Sequence, residues 1–280
     1  MEEGGNAMTT SDEYITIPRD EYLQLTKGNK NLLLVKTVFE QVLNGGKPKG
    51  KMFNIVTKTW NPVTGCLHQC NYCWARDLAT TKLRNSHRYE DGFNPRINLP
   101  EFQTKFKAGE IIFVSDMGDL FGNFIPAEWI QRVLEFTLHF PKTLFLFLTK
   151  NPTRYGEFLS KMPDNAILGA TIETNRDQKL LDDRISKAPP PSTRYTAMRN
   201  LNWDKKFISV EPVLDFDLDV LSRWIKEIFP FLVYVGYDNY NHRLAEPPQE
   251  KTLKLIDALS KTTLVVKKTI RHAWFETLGK

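Results

Sequence analysis

No run in the 280 residues approaches the ~18 uncharged apolar positions that a membrane-spanning helix needs. The best apolar stretches, Leu144–Leu148 and Phe229–Gly236, are short enough to be buried strands. Met1–Asp12 is polar and acidic, unlike a secretory leader. It reads as a disordered tail, with Met8 as a second possible start, and the expected location is the cytoplasm. Neither charge sign dominates. A net charge of +5 permits an anionic partner but is smaller and less clustered than a dedicated nucleic-acid binder carries. Cysteine is scarcest of all: three, all within residues 66–73. An odd, tightly spaced set cannot be a disulfide framework and points to a metal or redox site.

What is present is an ordinary globular composition, 41% apolar and 25% charged. Residues 1–50 read as a tail and helical extension, with Leu32–Leu43 the clearest helical stretch and Gly45–Lys51 a basic linker. The body, 51–280, alternates apolar runs with helical periodicities. The runs are Phe53–Val56, Ile111–Val114, Leu144–Leu148, Ile167–Thr171, Phe207–Val210, Leu232–Val235 and Leu264–Val266. Between them, Ala127–Phe140, Gln178–Ser186, Leu218–Phe229 and Gln249–Ser260 read as helices, Pro126 and Pro248 stand at helix starts, and Pro189–Pro191 reads as a loop. Continuous apolar strands suit a parallel sheet covered on both faces. The fold class is therefore α/β, as an open sheet or a full or partial barrel. In each of these, chemistry sits at the carboxyl ends of the strands.

The residues at those ends are polar. Directly after the first run stands Trp60-Asn-Pro-Val-Thr-Gly-Cys66-Leu-His-Gln-Cys70-Asn-Tyr-Cys73-Trp-Ala-Arg76. Three thiolates at C-x3-C-x2-C can take three irons of a [4Fe–4S] cube and leave the fourth open. The competing reading is a structural zinc site completed by His68 or His87, in a non-catalytic binding module. Zinc favours paired C-x2-C knuckles, however, and only one such pair exists. Later strand ends contribute Asp116-Met-Gly118-Asp119, Lys150, Thr171 with Glu173, Glu211-Pro212, and the loop holding Tyr237 and Tyr240. The alternative for Asp116 and Asp119 is that they cap a turn or helix. Glu211, a carboxylate beside a proline at the end of an apolar run, needs a partner or a role if buried.

The cysteine spacing with aromatic Tyr72 before the last cysteine resembles the radical S-adenosylmethionine (radical SAM) superfamily. The wider phrase is similar to an uncharacterised phage and microbial branch distantly related to spore photoproduct lyase. The resemblance extends over roughly 51–240 through Val114–Asp119, Phe147–Pro152 and Val210–Pro212. It implies a partial (β/α)6 barrel, one [4Fe–4S] cluster on Cys66, Cys70 and Cys73, and S-adenosylmethionine (SAM) as cofactor. The cluster would reduce SAM to a 5′-deoxyadenosyl radical that abstracts hydrogen from a substrate, with electrons from a flavodoxin- or ferredoxin-type donor. It further implies Tyr72 against adenine, Asp116, Gly118 and Asp119 near the SAM amino group, Lys150 on its carboxylate, and Thr171 and Glu173 on ribose or methionine groups. Glu211 completes that set. Gly118 stands where such enzymes carry a Gly-Gly-Glu segment, a form this chain lacks. With all three cysteines committed, no auxiliary cluster, methyl-carrying cysteine or cysteine hydrogen donor is available, so Tyr237, Tyr240 or recycled SAM would return a hydrogen. Nucleic acid, peptide and metabolite all stay open as substrates. Lys47, Lys49, Lys51, Arg84, Arg88 and Arg96, flanking the cysteines, either face phosphates or form a solvated rim.

Overall fold

A computed structural model describes residues 53–182 and 184–277. The expected tail and helical extension over 1–50 lie outside the described residues. Seven parallel strands form one sheet: β1 (Lys58–Trp60), β4 (Ile111–Val114), β5 (Leu144–Thr149), β6 (Ala166–Thr171), β7 (Lys206–Val210), β8 (Leu232–Val235) and β9 (Leu264–Lys267). They follow one another in that order across the sheet, in register from Lys58 beside Ile112 to Val235 beside Lys267. A short antiparallel ladder, β2 (Val63–Thr64) with β3 (Arg96–Ile97), sits apart. β1 and β9 are the two edges, so the barrel is partial rather than closed.

Strand alternation sorts the core into two layers. Ile112, Val114, Phe145, Phe147, Leu168, Ile208, Val233 and Val265 pack together on the helix side. Ile111, Phe113, Leu146, Ile167, Phe207, Leu232, Tyr234 and Val266 form the inner cluster. Curvature is visible in that inner layer, because one ring touches distant strands: Phe53 lies 5.4 Å from Phe113, 5.8 Å from Phe207 and 4.5 Å from Tyr234. Phe53–Val56, read as a strand from its apolar run, is instead a turn that plugs the barrel floor, closed by Val56 N–H to Phe53 O at 3.1 Å. The first strand starts at Lys58. Burial within a plug and burial within a strand leave the same apolar trace in sequence.

The covering helices bury one stripe each, as their spacing requires. α2 (Ala127–Thr137) buries Ile130, Val133, Leu134 and Thr137, α6 (Leu218–Ile228) buries Leu221, Ser222, Ile225 and Ile228, and α7 (Gln249–Ser260) buries Thr252, Leu255, Ile256 and Leu259. Each fully buried aliphatic stabilises the fold by about 1.5–3 kcal/mol before entropy is charged against it. Three further helices are α1 (Trp74–Thr80), α3 (Tyr155–Phe158) and α4 (Asp177–Asp182). α5 (Pro191–Asn200) begins inside the expected proline loop. Pro191 takes the first helical position, where a missing N–H costs nothing. Among the described residues no helix is long and apolar enough to cross a membrane.

Candidate metal and cofactor site

The cysteine loop is seated by two glycines. Gly65 donates to Met117 O at 2.9 Å and bridges to Gly118. A Cβ on Gly118 would stand 2.9 Å from Gly65 O, and one on Gly65 would stand 2.1 Å from Asn94 O. Gly65 also has φ of +86°, a conformation that favours glycine. Cys66 N–H then donates to Phe93 O at 3.0 Å, and Cys73 N–H to Cys70 O at 3.2 Å. Cys73 caps α1, its Sγ accepting from Arg76 N–H at 3.4 Å. Cys66 Sγ accepts from His68 N–H at 3.4 Å, and Cys70 Sγ lies 3.1 Å from Ser186 Oγ. Burial, and then the charge of Asp119, push the Cys66 thiol well up; burial also raises Cys73.

All three thiols line one cavity of about 980 Å³. The same cavity is lined by Tyr72, Asp116, Gly118, Asp119, Lys150, Thr171, Glu211, Tyr237 and Tyr240. Of the residues expected to hold the cluster, bind SAM or return a hydrogen, only Glu173 is not on its lining. Glu173 is fully buried and organises the cavity floor. Its Oε1 accepts from Tyr72 OH at 2.7 Å and from Lys150 Nζ at 3.2 Å, and its Oε2 accepts from Arg194, whose guanidinium is also fully buried. Arg194 donates as well to Thr171 O at 3.0 Å and Pro189 O at 2.6 Å. Burial alone would raise the Glu173 carboxyl. Arg194 and then Lys150 outweigh it and pull the value down to about 2. Lys150 Nζ lies 5.2 Å from the centre of the Tyr72 ring, a cation against its face.

Asp119 is consumed by the scaffold. Oδ1 accepts from Thr149 Oγ1 at 2.6 Å and Phe121 N–H at 3.2 Å; Oδ2 meets His68 Nε2 at 2.9 Å and Lys150 N–H at 2.9 Å. These bonds overcome desolvation and lower its carboxyl. It thus ties the cysteine loop to the ends of β4 and β5. Asp116 accepts from Asn61 Nδ2 at 2.6 Å, and burial raises its carboxyl. Glu211, likewise raised by burial, pairs with Lys268 Nζ at 2.6 Å. Tyr237 is fully buried, its hydroxyl 3.0 Å from Pro247 O and 2.7 Å from Thr252 Oγ1. Its phenol is pushed up to about 12, chiefly by burial. Tyr240 stands at the rim, 61% exposed.

The zinc reading fits less well. His87 is exposed and paired with Glu90, while His68 is held by Asp119. Among the described residues no three His, Cys, Asp or Glu side chains converge closely enough to hold one metal ion. A tetrahedral zinc with bonds of about 2.3 Å requires that convergence. A cube would instead take each thiolate at a separate iron, and the three thiols line one cavity. Of the basic rim, Arg88 is paired with Glu101 at 2.6 Å and Arg96 with Glu90 at 2.9 Å; Arg84 is exposed, and Lys47, Lys49 and Lys51 lie outside the described residues. Sequence reasoning missed Arg194, Ser186 and Lys268. The signal for Arg194 and Lys268 is a buried carboxylate's need for a cation.

These features define an α/β protein with a parallel, partly closed sheet and a three-cysteine cavity at its carboxyl edge. The chain belongs to the family described as Protein of unknown function, DUF5131, whose model matches residues 52–226. No protein of curated function matches the sequence. Among solved structures it is similar to a spore photoproduct lyase variant with AdoMet and a dinucleoside spore photoproduct bound, at 14% identity and a TM-score of 0.49, over 74% of this chain and 62% of that one. The chain therefore spans less than two thirds of the lyase it matches. It is also similar to Streptococcus suis SuiB bound to its precursor peptide SuiA, at 10% identity and TM-score 0.49, over 76% and 49% of the two chains. A radical SAM methyltransferase from Sphaerobacter thermophilus matches at 14% and 0.47, over 78% and 67%.

Proposed function

We propose that this chain is a radical SAM enzyme with a single [4Fe–4S] cluster held by Cys66, Cys70 and Cys73. The observation that carries this reading is the C-x3-C-x2-C loop with all its thiols lining one cavity that the carboxyl ends of β4 to β9 also line. When bound, the cluster would supply the single electron that breaks a carbon–sulfur bond of SAM, leaving methionine and a 5′-deoxyadenosyl group able to take hydrogen from a substrate.

The chain's own residues bind and orient. Tyr72 offers its ring to adenine, and the Lys150 ammonium offers donors to the SAM carboxylate. Glu173 positions both while itself staying behind the wall, anchored by Arg194. Asp116, Gly118 and Thr171 face the ligand from the ends of β4 and β6. Asp119 acts through His68 and Lys150, and Glu211 closes the far wall with Lys268. Of the two tyrosines, we assign the return of a hydrogen to Tyr240, which is exposed, and a wall role to Tyr237, whose hydroxyl is tied to Pro247 O and Thr252 Oγ1. Electrons come from an external flavodoxin- or ferredoxin-type donor.

The test is anaerobic reconstitution with iron and sulfide. Brown protein with about four irons per chain is expected, as is 5′-deoxyadenosine on adding dithionite and SAM. Cys70→Ala loses both colour and product. Colourless protein with stoichiometric zinc and no SAM binding overturns the proposal, as does an intact cluster that yields no 5′-deoxyadenosine.

A further inference from the structure

The three thiols receive hydrogen bonds of two kinds. Cys66 and Cys73 accept from main-chain N–H groups two and three residues on, and no substitution short of proline removes those donors. Cys70 is different. Its partner is the side chain of Ser186, 116 residues away and buried, with Oγ 3.1 Å from Sγ. The hydroxyl's orientation follows from its other bonds. Ala188 N–H donates to Ser186 Oγ at 3.1 Å, so the serine proton points elsewhere, to Cys70 Sγ or to His68 O at 3.4 Å. A thiolate sulfur has no proton to give, so against it the hydroxyl is the donor.

The backbone makes this placement firm. Asn71 N–H donates to Ile185 O at 2.9 Å and Lys187 N–H to His68 O at 2.6 Å, one bond on each side of Ser186. Ile185 also packs with Cys70, Tyr72, Leu180 and Leu214 in one apolar cluster. Segment 185–188 is thus stitched along the cysteine loop, and its hydroxyl is delivered to a single sulfur.

We infer that Ser186 is a positioning residue that sets the reduction potential of the cluster through Cys70, an inference that rests on the cluster reading above. A hydrogen bond to a ligating sulfur favours the more negative, reduced cluster and raises its potential. The hydroxyl therefore makes the one-electron reduction of [4Fe–4S]²⁺ to [4Fe–4S]⁺ by the external donor easier.

The test is a mediated redox titration of the reconstituted full chain, read by the EPR signal of the reduced cluster. Ser186→Ala is expected to carry normal iron and to titrate at a more negative potential. Its reduced-to-oxidised ratio at a fixed potential should fall about threefold to tenfold, the worth of one hydrogen bond. Ser186→Thr, which keeps the hydroxyl, is expected to return toward the wild-type value. A loaded Ser186→Ala protein with an unshifted potential overturns the inference, as does a Thr variant shifted as far as the Ala one. Should Ser186→Ala fail to take up iron, Ser186→Cys fills the same space with a weaker donor, and an unshifted potential there overturns it equally. Wild-type protein that takes up no iron refutes the cluster reading itself, before any variant is compared.

Discussion

Arg194→Met removes the guanidinium that holds Glu173 while filling much of its volume. Both side chains are fully buried, so the change strands a carboxylate away from water. Removing one partner of a buried pair costs about 3–5 kcal/mol. Lys150 and Tyr72 still touch Oε1 of Glu173, so the low end, about 3 kcal/mol, is expected. Glu173→Gln strands Arg194 instead, with Thr171 O and Pro189 O left to accept from it, and should cost a similar amount. The double variant leaves neither ion uncompensated, so its loss should fall short of the sum by about 2 kcal/mol. Urea unfolding of the metal-free protein at neutral pH reads all three, provided the slopes agree. A single-variant cost below about 1 kcal/mol, or strictly additive losses, would refute the reasoning.

The same group carries a pH signature of known sign. The Glu173 carboxyl is held at about 2 in the folded chain against an ordinary 4.5, a gap worth about 3 kcal/mol. A depressed carboxyl contributes stability that is fully present above the unfolded value and lost as pH falls through the window from 4.5 toward 2. Asp119, also lowered, adds its own loss in acid. Glu173→Gln should therefore flatten the acid limb by the Glu173 share while leaving the rest. Parallel limbs for the two proteins would mean that Arg194 and Lys150 do not hold the carboxylate as described.

The strand ends were legible because apolar runs must end where a parallel sheet ends, and the polar residue that follows is then exposed to whatever fills the barrel mouth. That reasoning placed Lys150, Thr171 and Glu211 on one cavity. For Glu173 it gave the side but not the depth: alternation with Thr171 pointed the carboxylate at the mouth, and its Oε1 does meet two cavity-lining residues, Tyr72 and Lys150, but beneath them it is fully buried. Its cation was hidden for another reason. Arg194 lies on α5, whose sequence, Pro191-Ser-Thr-Arg-Tyr-Thr-Ala-Met-Arg-Asn, has too few apolar positions to show helical periodicity. Polar residues that serve a buried cluster erase the pattern by which helices are found. Ser186 was beyond reach because nothing local marks it, and only the tertiary path of segment 185–188 brings it to Cys70.

Lys150→Ala should weaken SAM binding about tenfold or more in calorimetry while leaving iron content unchanged, since the lysine touches Glu173 and Tyr72 but no cysteine. An equal loss of iron would move Lys150 from cofactor binding to scaffold. Gly118→Ala tests the seat of the loop. Its new methyl would stand 2.9 Å from Gly65 O and 3.2 Å from Gly65 N, both main-chain atoms that no rotamer change can move aside. The strands on either side are fixed by the sheet, so the strain, about 1–3 kcal/mol, falls on the segment free to shift, residues 65–73. Iron uptake should drop more steeply than stability, because the Gly65–Gly118 approach sets where Cys66 begins. A variant that melts earlier yet loads iron as wild type would show that the cysteine loop is positioned from its α1 side instead.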